Sequence, residues 1–461
     1  MNESHETASK AWVLALTSLA SLMVALDALV VTTALSTIRL ELGASLEALQ
    51  WTMNAYNLSF AVLLLTGAAL GDRYGRRRLF VVASAACALA RSAGALIAAR
   101  AVQGAGAALV MPLAMALLSA AFPPQERGRA LGMFSGLTGL ALIAGPVVGG
   151  AVAEGIAWQW IFWINVPIGL VAIALVRRRI QESFGMSTAV DVLGVILVTG
   201  AVLGAVWGLM RGNASGWTSP EVIAAFVAGL LLAGAFVAWE LRARAPMVPM
   251  RFFGSRAFAS GNAASFLYSA SLYGTVFFMA QFLQTALGHG PLGAGLRLLP
   301  WTATLFVVAP LAGVLVNRTG ERTLIAGGLI LQAIGMAWVA LIAAPDLAYA
   351  RLVAPLILAG AGISMAMPAA QNAVFNSVAQ TELGKASGTF NMFRFLGGVS
   401  GIAVAVAVFA AAGSVDSPRA FTAGFVVAIA VSAALSLAGA VAGMWQPARR
   451  EPALAQAQAN A

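Results

Sequence analysis

Apolar runs of about 20 residues follow one another along this chain, parted by short loops. A run of that length, wound as helix, crosses the hydrocarbon core of a bilayer. Composition agrees. Hydrophobic residues make up 60% of the chain and charged residues 10%, against roughly 25% charged in a soluble domain. No polar stretch is long enough to surface a soluble domain, so the expected fold is all-α and integral to a membrane.

The runs predict fourteen spans, near 12–35, 50–71, 78–96, 98–120, 129–152, 159–177, 190–210, 219–240, 257–285, 292–316, 323–343, 350–374, 385–411 and 421–444. The first is longer than the apolar core of a signal peptide, about 7–15 residues, and reads as a retained helix. Cationic side chains supply an independent check, because they concentrate on the cytoplasmic side of a membrane. With both termini inside, the predicted outer loops carry only Arg39, Arg211, Arg351 and Arg419, and the inner segments carry nearly all the rest. Arg91, Arg100, Arg297 and Arg394 fall within spans. The net charge of +10 is thus spread over short loops rather than gathered on a nucleic-acid-binding face.

A short pattern recurs. Asp72-Arg73-Tyr74-Gly75-Arg76-Arg77 follows the second span, and Asn317-Arg318-Thr319-Gly320-Glu321-Arg322 follows the tenth. An offset of eight spans implies two six-helix halves separated by two inserted helices. The expected divisions are a first half over 1–180, the insert over 181–250, a second half over 251–445 and a cytoplasmic tail over 446–461. Paired repeats are the usual architecture of secondary transporters, with the substrate site near the bilayer midplane.

The residues exclude several chemistries. A single cysteine, Cys87, permits no intramolecular disulfide. The histidines, His5 and His289, are far apart, which leaves no support for a metal site or a catalytic triad. No enzyme activity and no metal or organic cofactor is expected. Asp27 is the acid well inside a span, about 12 Å below the outer end of the first helix at 1.5 Å per residue. Such a charge is costly in a membrane and marks a proton or cation site unless a partner neutralises it for structure alone. Arg100, near the outer end of the fourth span, is the natural partner, with Gln103 one turn away and small residues following that allow helices to approach closely.

Other motifs point to moving parts. Gly145 and Gly149 share a face of the fifth span, and Pro146 and Gly150 make that helix thin and bendable, suited to a sliding contact or to tight static packing. Asp72, Arg73, Gly75 and Arg76 form more than a basic anchor, because the acid could cap a neighbouring helix or pair with arginines and so latch the inner face. In the second half, Gln371, Asn372, Asn376, Asn391 and Arg394 are polar groups within apolar runs. With Gln103, they are candidates for the wall of a substrate cavity, or else glue between helices.

Over essentially its whole length, the chain resembles the fourteen-helix drug:proton antiporter family of the major facilitator superfamily. The resemblance rests on Leu26-Asp27 in the first span, Gly71-Asp72-Arg73 with Gly75-Arg76-Arg77-Arg78 after the second, and Arg100, Gln103, Gly104 and Gly106-Ala107-Ala108 in the fourth. Gly145-Pro146 with Gly149-Gly150 and the segment Trp160-Ile161-Phe162 with Ile164-Asn165 and Pro167 complete it. Leu29, Thr32, Ser36 and Gln159 depart from the family pattern.

The resemblance implies proton-coupled efflux of lipophilic, often cationic, drugs or antibiotics by alternating access across a bacterial inner membrane. The expected partners are those molecules and membrane lipids, with no nucleic acid. The alternatives are an exporter dedicated to one endogenous metabolite and a membrane sensor that keeps the fold without transport.

Overall fold

The computed structural model describes residues 2–64, 89–122, 124–179, 191–244, 246–379 and 382–447. Among these residues the regular structure is helical throughout, with no strand. In chain order the helices are α1 (Asn2–Leu42), α2 (Leu46–Leu63), α3 (Ala93–Ala121), α4 (Pro124–Gly155), α5 (Trp160–Trp163), α6 (Asn165–Arg179), α7 (Val192–Ser215) and α8 (Pro220–Glu240). A 3₁₀ turn at Met250–Gly254 leads to α9 (Arg256–Thr285), α10 (Pro291–Arg297), α11 (Leu299–Thr302), α12 (Thr304–Ile342), α13 (Ala350–Asn376), α14 (Leu383–Ala412) and α15 (Pro418–Met444). Nine helices among the described residues are long and apolar enough to cross a membrane.

Helix starts follow from local chemistry. Side-chain oxygens of Ser45, Asp191, Ser219, Ser255 and Ser417 accept from backbone N–H groups of the first turns of α2, α7, α8, α9 and α15. These bonds satisfy donors that a helix leaves orphaned at its N-terminus. Pro220 and Pro418 sit in first turns, where a missing N–H costs nothing.

Every predicted span but the third has a helical counterpart; the third lies mostly outside the described residues. Three details depart from the sequence reading. Arg91, expected inside the third span, is an exposed residue of the non-helical stretch before α3. The sixth span divides into α5 and α6, with Ile164 between them. The tenth divides into α10, α11 and the start of α12, where Pro300 has no N–H to continue a helical ladder. The second copy of the repeated loop breaks α12: Gly320 has φ 80° and ψ 159°, a backbone conformation that glycine adopts without a Cβ clash.

The chain forms two compact units, Met1–Val190 with Gly290–Leu296, and Asp191–His289 with Arg297–Ala461. In the first, α1 packs along α4 and α2 along α3. In the second, α12 packs along α13 and α15, and α9 along α14 and α15. Aromatic rings fill that second unit: Phe282 stacks on Phe425 at 4.1 Å and Phe278 on Phe409 at 4.7 Å between ring centres. Helices α7 and α8 pack on each other through Gly204 and Gly229, and the Asn213 side chain of α7 donates to Ala407 O of α14.

Candidate functional site: a buried ion pair in the first unit

Asp27 sits within the aliphatic stretch of α1 and is fully buried. Burying a carboxylate is tolerable only where charge and hydrogen bonds replace water. Arg100, equally buried, supplies the charge: its Nη1 donates to Asp27 Oδ2 at 2.5 Å. The other carboxylate oxygen, Oδ1, accepts from Gln103 Nε2 and from Asn165 Nδ2, each at 2.9 Å. Three helices, α3, α6 and α1 itself, therefore meet at one carboxylate.

The cation is held as carefully as the acid. Arg100 Nη1 also donates to Gln103 Oε1 at 2.7 Å, and its Nε donates to the backbone carbonyl of Thr52 at 3.2 Å. The guanidinium lies over the Tyr56 ring at 4.2 Å, and the Tyr56 hydroxyl donates to Val24 O on α1 at 3.0 Å. Helix α2 comes this close to α3 because of Gly104: a Cβ there would lie 2.2 Å from Tyr56 O. Arg100 thus has acceptors and a π-face of its own besides the carboxylate.

Asn165 escaped the sequence reading as a site residue; there it was only part of a family motif. Its position depends on the break at Ile164, which starts α6 at Asn165. Just before the break, buried Trp158 donates through Nε1 to Glu41 Oε2 at 2.8 Å and meets Phe162 edge-on. Phe162 in turn lies 5.7 Å from the Arg100 guanidinium. Aromatic packing at α5 therefore sets where the carboxamide of Asn165 points. Gln103, a candidate for the cavity wall, is fully buried and spends its side chain on Asp27 and Arg100.

The glycine motif of α4 touches α1 one turn from Asp27. A Cβ at Gly149 would lie 2.1 Å from Val30 O, and one at Gly145 would lie 2.9 Å from Leu29 Cβ. Thr33 Oγ1 donates to Pro146 O at 3.1 Å. On its other side, α4 meets the Gly290–Leu296 segment: a Cβ at Gly150 would lie 2.3 Å from Pro291 O, and Glu154 Oε2 accepts from Leu292 N at 2.9 Å.

The remaining candidates are dispersed. Asp72, Arg73, Gly75 and Arg76 lie outside the described residues. On α13, Gln371 and Asn376 are exposed and Asn372 is half-buried, and Asn376 Nδ2 reaches Glu321 Oε1 beside the Gly320 break at 3.5 Å. On α14, Asn391 donates to Ser387 O of its own helix, and half-buried Arg394 lies over the Phe395 ring. No group of His, Cys, Asp and Glu suited to a metal occurs among the described residues.

Residues 17–402 match the Major Facilitator Superfamily, a stretch that contains the Asp27 cluster and the α4 glycines. The chain belongs to the major facilitator superfamily. This facilitator is therefore a multi-pass membrane protein.

It is 33% identical to the tetracenomycin C resistance and export protein of Streptomyces glaucescens, over 83% of this chain and 73% of that one. It is 34% identical to a cephamycin export protein of Amycolatopsis lactamdurans, over 87% and 85%. It is 33% identical to a multidrug resistance protein of Mycobacterium tuberculosis, over 86% and 75%. Among solved structures, a bacterial homologue of the lysosomal transporter Spinster, inward-facing and unoccupied, shares the fold with TM-score 0.66 and 18% identity, over 96% and 99% of the two chains.

Proposed function

We propose that this facilitator exports lipophilic small molecules, antibiotics among them, in exchange for protons, with Asp27 as the proton carrier. The observation that carries this reading is the buried carboxylate bound to Arg100, Gln103 and Asn165. Such a group has two forms that the same pocket can hold. Charged, it accepts three hydrogen bonds. Protonated, it releases Arg100 to Gln103 Oε1, Thr52 O and the Tyr56 ring, so the cation is not left bare. Exchange between the two forms changes what joins α1 to α3 and α6, and α4 lies against α1 a turn away.

On this reading the protein sits in a bacterial inner membrane with both termini in the cytoplasm. The six-helix halves rock against each other, the Asp72–Arg76 loop latches the inner face, and α4 forms the sliding contact. A membrane potential supplies about 2.3 kcal/mol per net charge moved per 100 mV, so it drives export of a neutral molecule against one proton. Exchange of one proton for a monovalent cation moves no net charge and runs on the pH difference. The cargo includes lipophilic cations. Relatives named for single compounds, such as those for tetracenomycin C and cephamycin, favour a second reading in which one metabolite is the physiological cargo.

Everted vesicles loaded with the protein test the proposal. An imposed proton gradient should drive uptake of an exported dye, with proton release from the lumen, and Asp27→Asn should abolish both. Undiminished proton-coupled uptake by Asp27→Asn would remove the proposed role of Asp27.

A further inference from the structure

Helix α2 carries polar chemistry that the ion pair does not use. Gln50, Asn54 and Asn57 are spaced i, i+4 and i+7 and so share one face of the helix. All three are fully buried. The oxygen and nitrogen of each carboxamide lack any hydrogen-bond partner among the described residues. A buried amide left unpaired bears its whole desolvation cost, and a helix that merely packed would carry apolar side chains there, as α2 does at Leu49, Met53 and Val62. Three such residues in register call for a partner that this packed arrangement does not supply and that enters when the face opens.

We infer that this face of α2 is a binding surface for the uncharged polar groups of the cargo, such as hydroxyls, carbonyls and amides. The inference rests on the export reading. Each carboxamide offers an acceptor and two donors and no net charge. A hydroxyl or amide can satisfy both kinds, whereas a lone cation would use the oxygens and strand the nitrogens. The acid at this level, Asp27, already accepts three hydrogen bonds and is not open to a cationic ligand. The Tyr56 hydroxyl bond to Val24 O sets the depth, placing the carboxamides on either side of the level of Asp27 along antiparallel α1 and α2.

The opposite face of α2 presents Thr52 and Tyr56, which hold Arg100. One helix therefore carries the cargo surface on one side and the cradle of the coupling cation on the other. A site built to hydrogen-bond its ligand rejects analogues lacking those groups, because its own polar atoms are then left unpaired. Lipophilic cations need none of these hydrogen bonds and bypass this surface.

Proton-driven uptake into everted vesicles, with chloramphenicol as a neutral hydroxyl- and amide-bearing probe and ethidium as a permanent cation, tests the inference. Gln50→Met, Asn54→Leu and Asn57→Leu keep volume and remove hydrogen bonding. Each should raise KM for chloramphenicol at least tenfold and leave ethidium within twofold, the ethidium signal reporting intact folding and coupling. Equal loss for both probes, no change for either (water then being the partner of the carboxamides), or a wild type that moves ethidium but not chloramphenicol would overturn the inference while leaving export intact. A wild type that moves chloramphenicol alone supports it if the variants raise that KM and still elute as monodisperse protein, and overturns it otherwise. A wild type that moves neither probe removes the export reading and the inference together.

Discussion

Two buried polar clusters, one in each unit, join helices in similar ways with different chemistry. In the first, Asn165 of α6 and Arg100 of α3 close on Asp27 of α1. In the second, Ser436 of α15 donates to Ser271 of α9 at 2.8 Å, and Gln332 of α12 donates to the same hydroxyl at 3.1 Å. Under the eight-span offset read from the repeated loop, α9 and α15 stand where α1 and α6 stand. The first cluster holds a full charge of each sign in an apolar bundle; the second holds none. A neutral cluster tolerates the loss of a member, because hydroxyls and amides that lose a bond strand no charge. A charged one does not, since removing one ion leaves its partner uncompensated. Under the proposed function, the difference gives titratable work to the first unit and joinery to the second.

The largest break in that contrast should come from Arg100→Ala, which strands Asp27 in its pocket. Removing one partner of a buried pair costs about 3–5 kcal/mol, so the yield of monodisperse protein in detergent should collapse. Adding Asp27→Asn to the same chain should recover most of that yield without recovering transport. A double variant no better than Arg100→Ala would mean that the pair is held by something other than mutual compensation.

Gly149→Val comes next, since even a Cβ would meet Val30 O at 2.1 Å. Overpacking of this kind costs about 1–3 kcal/mol, and transport should fall more than tenfold. Gly155→Ala, at the end of the same helix with open space around it, should be silent.

In the second unit, Ser436→Ala removes one neutral hydrogen bond worth about 1 kcal/mol. Thermal unfolding followed by fluorescence should register a small loss, with transport within twofold of wild type. A loss of coupling as deep as that of Asp27→Asn would erase the division of labour between the units.

The smallest effect concerns His289, between α9 and α10. Partial burial, and then the charge of Arg297, hold its pKa below the usual histidine value. It is therefore neutral at pH 7 and takes up a proton only on further acidification. His289→Gln should leave the pH profile of uptake between about pH 7 and 8 unchanged, because an unperturbed imidazole near 6.5 would itself be mostly neutral there and this one is more so. A displaced profile would make the second unit a participant in proton handling.

Helix existence was legible because apolar length and cationic loops are written directly in the residues. Asp27 and Arg100 were legible for the same reason, since a charge stands out in an aliphatic run. The interruptions at Ile164 and Leu298 were not, because both lie in stretches whose hydropathy continues unbroken. Arg91 was assigned to a helix on the same continuity. Asn165, Gln50, Asn54 and Asn57 were passed over while Gln103, Gln371, Asn372, Asn376 and Asn391 were singled out, because polarity within an apolar run does not by itself separate a site from glue between helices. The signal was the helical spacing on α2, which becomes meaningful only when the opposite face is known to hold Arg100.

The ion pair also imposes an order on biogenesis. Asp27 leaves the ribosome 73 residues ahead of Arg100 and 138 ahead of Asn165. At about 5–20 residues per second, the nascent first helix carries its acid for about 4–15 s before the arginine exists. Through that interval, α1 must be sheltered by the insertion machinery or wait protonated. A slow stretch of translation between the two helices would lengthen that exposure, so synonymous codon choice over residues 28–99 becomes a determinant of how much protein reaches the membrane.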